Sequence, residues 1–512
     1  MSGKQTINNK RIAKNTMALY VRMFLVMAIT LYTSRIVLKT LGIEDYGIYN
    51  VVGGVVVLFS FLNSALANAT QRFLNFEMGT GNEDKLRTVF SCSMMAHYGI
   101  VLFLFMLCET VGLWFVDQKL NIPDGRENAA FWTYQCSVIT FCINVLCVPF
   151  RSSIIASERM NFFAVLSIGE VIAKLLVVYM LLWSDYDRLI VYAVLSLLVN
   201  SLVTLVYIIY CKFHTNFVTF QLLYDKLLLK NIFSFSIWSC WGNLSNIVAS
   251  QGLNILANMT WGVLVNAAMG VSHQVSSAVY GFTSNFQTAF NPQLVKLYAA
   301  KEMSYYRELL YRASRISFYL FFVVNVPLLL NTDTILDLWL AEVPEYCTQF
   351  CRWTLIDQCF YVLSAPLWIS AQAIGNIRNY MLWVSVFNIL SLPLAYLFTI
   401  LGADPCFVIV ARLLMNISVY IYRIFYLWKK KALEITDYYS NVIGYIVKVT
   451  TLSIIFPFLL CYYINAPIPR LISTTMVSVF TAILIIYSVG LTQTEKNYCV
   501  NLIKQKLNAR FR

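Results

Sequence analysis

The chain has 512 residues, 59% of them hydrophobic and only 12% charged, with a formal net charge of +13. A soluble domain carries roughly a quarter charged residues, so this composition excludes an ordinary water-facing surface and makes lipid the solvent. The positive excess falls in short segments on one side of the predicted membrane. That accounts for it and removes nucleic acid as the partner it would otherwise suggest.

Continuous apolar runs predict helical spans, not a barrel, at 17–38, 46–67, 89–115, 131–150, 162–183, 189–210, 232–256, 265–290, 309–330, 347–370, 381–401, 405–428, 442–464 and 469–491. Each is about 20 residues or more, enough for the ~30 Å hydrocarbon core. The expected fold is an all-α polytopic membrane protein of about 14 transmembrane helices with both termini cytoplasmic. In that orientation Lys39, Lys119, Arg126, Arg188 and Arg470 are the basic residues left in outside loops. Inside stretches near 68–88, 211–230 and 291–308 mix basic and apolar residues and are expected on the membrane surface. A faint repeat pairs Lys14-Asn15 with Lys230-Asn231, and Leu41-Gly42 with Trp261-Gly262. It suggests an N-terminal six-helix lobe at 1–210, a C-terminal six-helix lobe at 211–430, and helices 13 and 14 with a basic cytoplasmic tail at 431–512.

No catalytic residue, cofactor or metal is expected. Gly3-Lys4 lacks the upstream glycine of a phosphate loop. His97 and His273 fall in separate spans, and most cysteines lie in apolar runs, where they act as small hydrophobes. Asp185 and Asp187 sit in a short outside loop and read as a solvated turn.

The informative residues are charges within spans, where each costs about 2.5–3.5 kcal/mol on insertion scales. Arg22 shares a helix face with Asn15 and Thr33. Arg35, Arg352, Lys448 and the deep Arg412 are the other cations considered. Snorkelling to the headgroups is the alternative for each. Together they suggest a cationic lumen for an anionic phosphate, with Arg22, Arg35, Arg352 and Arg412 as the substrate-binding candidates. Glu170 and Lys174 are one turn apart and read as an ion pair. These two and Asp357, for which Arg352 is a candidate partner, are candidate ion-coupling residues. The seventh and eighth spans are rich in amides and hydroxyls. Trp241, Asn243, Asn246, Gln251 and Gln274 are candidates to line a wet cavity suited to sugars, and tight small-residue packing is the alternative.

Several stretches carry a resemblance. They are Lys10–Leu19, Arg35 through Tyr49, Asn68-Ala-Thr-Gln-Arg-Phe-Leu74, Ile155-Ala-Ser-Glu-Arg-Met160, Asn291-Pro-Gln-Leu-Val-Lys-Leu-Tyr298 and the outside stretch from Ile335 to Pro344. In these, nearly the whole chain resembles the Wzx-type polysaccharide-unit flippases, within the superfamily that also holds drug/ion antiporters and lipid II flippases. The resemblance implies a transporter, not an enzyme, in the bacterial inner membrane. It implies that the protein moves undecaprenyl-pyrophosphate-linked oligosaccharide for O-antigen or capsule synthesis, by alternating access through a central cationic cavity. Membrane lipids, and a polysaccharide polymerase with chain-length proteins, are the partners implied. A cation-coupled multidrug exporter is the second reading, although no Asp or Glu precedes Glu44 to give the first helix an acid. A membrane glycosyltransferase or polymerase using Asp185, Asp187, Asp333 or Asp337 is the third.

Overall fold

The computed structural model describes residues 2–57, 60–119, 122–123, 125–181, 183, 186–218, 221, 223–340, 343–493 and 495–497, and helix is their only regular structure. In chain order the helices are α1 (Ser2–Val57), α2 (Ser60–Thr80), α3 (Glu83–Leu107), α4 (Leu113–Lys119), α5 (Glu127–Ala156), α6 (Met160–Leu181), α7 (Arg188–His214), α8 (Lys226–Trp261) and α9 (Val263–Ala299). They continue as α10 (Met303–Leu330), α11 (Thr332–Trp339), α12 (Cys347–Ile374), α13 (Arg378–Ile400), α14 (Phe407–Lys429), α15 (Ile435–Tyr438), α16 (Gly444–Tyr463) and α17 (Pro467–Ile485). Wider π turns at Cys108–Gly112 and Tyr439–Ile443 join α3 to α4 and α15 to α16, and one at Ile486–Gly490 extends α17.

Among the described residues, nine helical stretches are long and apolar enough to cross a membrane, and the protein is a multi-pass membrane protein. The other predicted spans lie on α1, α2, α8, α9 and α12. In α12 polar and charged residues, among them Asp357 and Gln358, interrupt the apolar run. Phe456, Phe458, Tyr462, Tyr463 and Phe480 on α16 and α17 are all more than half exposed, which suits a face solvated by acyl chains.

Local chemistry sets the breaks. Gly42 interrupts α1 at φ 83°, and Gly262 separates α8 from α9 at φ 84°. Only glycine adopts that left-handed backbone without a steric cost, and the two members of the weak repeat share it. Asn82 caps α3 by accepting from Lys85 N at 3.0 Å, and Asp225 caps α8 by accepting from Leu227 N at 2.9 Å. The π turn at Cys108–Gly112 has a visible cause. The Tyr134 hydroxyl donates to Cys108 O at 2.7 Å, in space that a Cβ on Gly112 would fill at 2.2 Å from that oxygen.

The chain packs as two compact units. The first comprises Met1–Leu244, Thr288–Glu302 and Gln372–Met381. Its core runs along α5 through Tyr134, Val138, Phe141 and Val145, against Leu104 and Leu189. At the start of α5 Arg126 bridges Asp45 and Asp187, and the Asp45 hydrogen bond makes the guanidinium hold its proton more tightly. Asp187 also caps α7, accepting from Leu189 N at 3.0 Å and Ile190 N at 3.2 Å. The second unit comprises Ser245–Gln287, Met303–Ala371 and Leu382–Arg512. Its largest core joins Leu253, Met269, Phe350, Cys351 and Ile409.

Candidate functional site

In the first unit, two arginines on different helices feel each other's charge, and among the described residues neither makes an ion pair. Arg22 on α1 lies over the Phe163 ring of α6, 4.7 Å from its centroid. Arg151 on α5 lies 5.4 Å from the centroid of Tyr207 on α7. The Arg151 charge opposes that of Arg22, and Glu170 favours it. Glu170, however, is engaged by Lys174 at 2.6 Å, so that pair cancels its own charge. The Nε–H groups of Arg22 and Arg151 are both buried with no acceptor. The aromatic faces supply part of the missing negative potential, about 0.5–2 kcal/mol each. They leave two positive charges and unused donors, the combination that a doubly charged anion satisfies.

The second unit treats its cation differently. Arg412 on α14 reaches Asp357 on α12 through Nε at 2.9 Å and Nη2 at 2.8 Å, and Asn416 donates to the other carboxylate oxygen at 2.6 Å. Asp357 is fully buried, and His273 on α9 feels the charges of both partners. The partner of Asp357 is thus Arg412, not Arg352. A neutral polar network continues from there. Ser276 donates to Gln358 at 3.1 Å, Tyr280 to Gln287 at 3.2 Å, and Gln287 to Val362 O at 3.3 Å.

The remaining candidates scatter. Arg352 is half-buried and makes no ion pair among the described residues, and Lys448 is exposed. The Arg35 side chain and Asp185 lie outside the described residues. Trp241 and Asn243 belong to the first unit, with Trp241 47% exposed. Asn246, Gln251 and Gln274 belong to the second and are exposed, with Gln251 accepting from Asn254 at 3.4 Å. Asp187 and Asp333 are tied up by Arg126 and Arg470, an arrangement that suits turns, not an acid catalyst. Glu109, in the π turn, accepts from Gln135 at 3.1 Å. Among the described residues no cluster of His, Cys, Asp and Glu is arranged to hold a metal.

The residue that sequence reasoning missed is Arg151. It stands two positions after Pro149 near the C-terminal end of α5 and reads as an ordinary topological charge. Arg22 and Arg151 are more than a hundred positions apart, so no spacing links them.

No family model matches the chain, and no curated protein does. Solved structures do. A MATE in complex with MaD3S is 14% identical, with a TM-score of 0.70 over 83% of this chain and 97% of that one. An outward-facing multidrug resistance MATE family transporter of the MOP superfamily is 13% identical, with a TM-score of 0.69 over 83% and 95%. A MOP superfamily transporter from Pyrococcus furiosus, described as having a binding pocket of reverse polarity that suggests a different function, is 14% identical, with a TM-score of 0.69 over 84% and 96%. The chain therefore has the fold of the MATE transporters.

Proposed function

We propose that this protein is a flippase for polyprenyl-pyrophosphate-linked oligosaccharide, moving it from the inner to the outer leaflet of a bacterial inner membrane for surface polysaccharide synthesis. The reading takes the chain to have fourteen spans with both ends cytoplasmic. The observation that carries it is the pair Arg22 and Arg151, two membrane-embedded cations whose buried Nε donors have no acceptor and which make no ion pair among the described residues. Such residues mark a pathway, and a pyrophosphate matches both their charge and their fork geometry. The amide- and hydroxyl-bearing faces of α8 and α9 suit the sugars. The prenyl chain stays in lipid, for which the crevice of about 400 Å³ lined by Phe456, Leu459, Leu460, Tyr463, Val477 and Thr481 offers an apolar bed. A polymerase and chain-length proteins would take the product outside.

The test is binding of a short polyprenyl pyrophosphate to the purified protein. Arg22→Gln and Arg151→Gln should each weaken it by about tenfold or more, since a charge-assisted hydrogen bond contributes roughly 1.5–3 kcal/mol. Binding equal to wild type in both variants would remove the anion site.

A second reading has its own observation. The buried Asp357, held by Arg412 and Asn416 beside His273, is the kind of intramembrane acid that couples transport to a cation gradient. In an exporter of cationic drugs it would be the essential residue, and Arg22 and Arg151 would tolerate neutralisation.

A further inference from the structure

Four of the stretches that carry the family resemblance converge on one place in the first unit, the end of the bundle that the Lys and Arg distribution puts in the cytoplasm. Glu158 sits in the turn between α5 and α6 at φ 58°, a backbone that glycine or asparagine ordinarily takes. Lys301 and Lys431 make the same turn elsewhere with exposed side chains, whereas the Glu158 carboxylate is 4% exposed. Both of its oxygens are bonded to α9, one by Lys296 Nζ at 2.7 Å and one by Gln293 Nε2 at 3.1 Å. Lys296 also donates to Ala156 O at 2.6 Å, and Asn15 of α1 donates to the Glu158 carbonyl at 3.3 Å.

Two further contacts close the same end. Arg72 of α2 is buried, and it donates to Gln372 O at 3.1 Å and Ala373 O at 3.2 Å at the end of α12. It packs over Phe73, Phe76 and Phe235. Burial lowers its hold on the proton to about 10, so it remains charged at neutral pH. Gly375 (φ 95°) lies so close that a Cβ there would come within 2.4 Å of the Arg72 guanidinium. Two turns further along α2, a Cβ on Gly79 would lie 2.4 Å from Lys296 O and 2.8 Å from the Ala299 Cβ, so α2 and α9 touch almost backbone to backbone.

We propose that Glu158 with Lys296, Gln293 and Asn15, and Arg72 with the 372–375 turn, form a cytoplasmic latch that must open for the binding site to load from the inside. The proposal rests on the transport reading above and on the inside assignment of these ends. A lysine held on a buried carboxylate, and a buried arginine whose hydrogen bonds among the described residues all go to carbonyls, are costly ways to hold helices that never part. They suit a contact with two discrete states, each satisfied differently.

The test uses the full-length protein in vesicles, with Gly79→Cys paired with Ala299→Cys, where a Cβ at position 79 starts 2.8 Å from the Ala299 Cβ, so that α2 and α9 need part by only about an ångström to reach the ~3.8 Å of a disulfide. The two thiols lose two electrons and two protons to an added disulfide-forming oxidant, and a reductant reverses the step. The cross-link should stop transport by the oxidised double variant relative to the same variant kept reduced, and Ala299→Cys alone should transport as before. A second readout does not depend on the substrate. It is labelling of Arg22→Cys by a membrane-impermeant maleimide on the cytoplasmic side, located by mass spectrometry. Labelling should fall on cross-linking and rise on the order of tenfold with Glu158→Gln. The charge-swapped pair Glu158→Lys with Lys296→Glu should return it toward wild type. If wild type moves no lipid-linked saccharide, the substrate reading falls and the labelling arm still decides the latch. Cross-linked protein that labels and transports like the reduced form would overturn the latch.

Discussion

The Asp357–Arg412 pair gives the sharpest energetic prediction. Asp357 is 0% exposed and Arg412 23%, and two hydrogen bonds and a further guanidinium contact converge on the carboxylate. Removing the acid alone, as Asp357→Ala, leaves a guanidinium and the Asn416 amide without an acceptor. Breaking a buried pair costs about 3–5 kcal/mol. The partial exposure of Arg412 puts this one near the lower end, about 3 kcal/mol. Replacing both partners by apolar residues of similar volume, Asp357→Leu with Arg412→Met, removes both charges together and should bring stability back to within about 1 kcal/mol of wild type. Thermal unfolding in detergent, read across this double-mutant cycle, measures the difference. If the loss in the double variant equals the sum of the single losses, the two residues do not depend on each other and the reasoning fails. Transport separates the readings. A stable double variant that still flips lipid-linked saccharide assigns the pair to structure, and one that folds but no longer transports assigns it to coupling.

Three further outcomes are expected. Gly112→Ala should destabilise by about 1–3 kcal/mol through overpacking, because the new methyl would meet the Tyr134 hydroxyl at 2.2 Å. Adding Tyr134→Phe should recover part of that loss in the same melting assay. Arg126→Ala removes the bridge to Asp45 and Asp187 at a partly exposed site and should cost no more than about 1 kcal/mol. The difference should shrink in high salt, whereas one that persists in molar salt would show that the guanidinium acts by packing. Val477→Trp should fill the crevice between α16 and α17. If the crevice seats the lipid tail, the variant slows flipping of a long prenyl carrier and spares a short one, and equal slowing of both removes the crevice from the account.

Much of the architecture was legible because the bilayer imposes a length on every apolar run. Gly42 and Gly262 were visible as breaks for the same reason, and both adopt the backbone that a turn between long helices requires. Arg22 announced itself as a charge inside an apolar stretch. What the sequence hid was pairing. Arg412 looks like a lone cation until α12 and α14 bring Asp357 to it, and that neutralisation weakens its claim on a phosphate. Arg151 looks like one more basic residue at a helix end until the packing of α1 lets its charge act on Arg22. Glu158 and Lys296 appear in sequence only as parts of two loose motifs, and the ion pair that gives them meaning joins positions far apart in the chain. One-dimensional patterns report the cost of burying a group, and the partner that offsets the cost appears only with the packing.

The most direct measurement is flipping of polyprenyl-pyrophosphate-linked oligosaccharide in vesicles holding wild type, the Arg22→Gln/Arg151→Gln double variant, or Asp337→Asn, an exposed outside acid, as the control. The account predicts that wild type and Asp337→Asn expose the saccharide to an outside probe and that the double variant does not. Flipping by the double variant at the wild-type rate would contradict it. So would a wild-type protein that leaves the lipid in place and exports a cationic dye under an ion gradient.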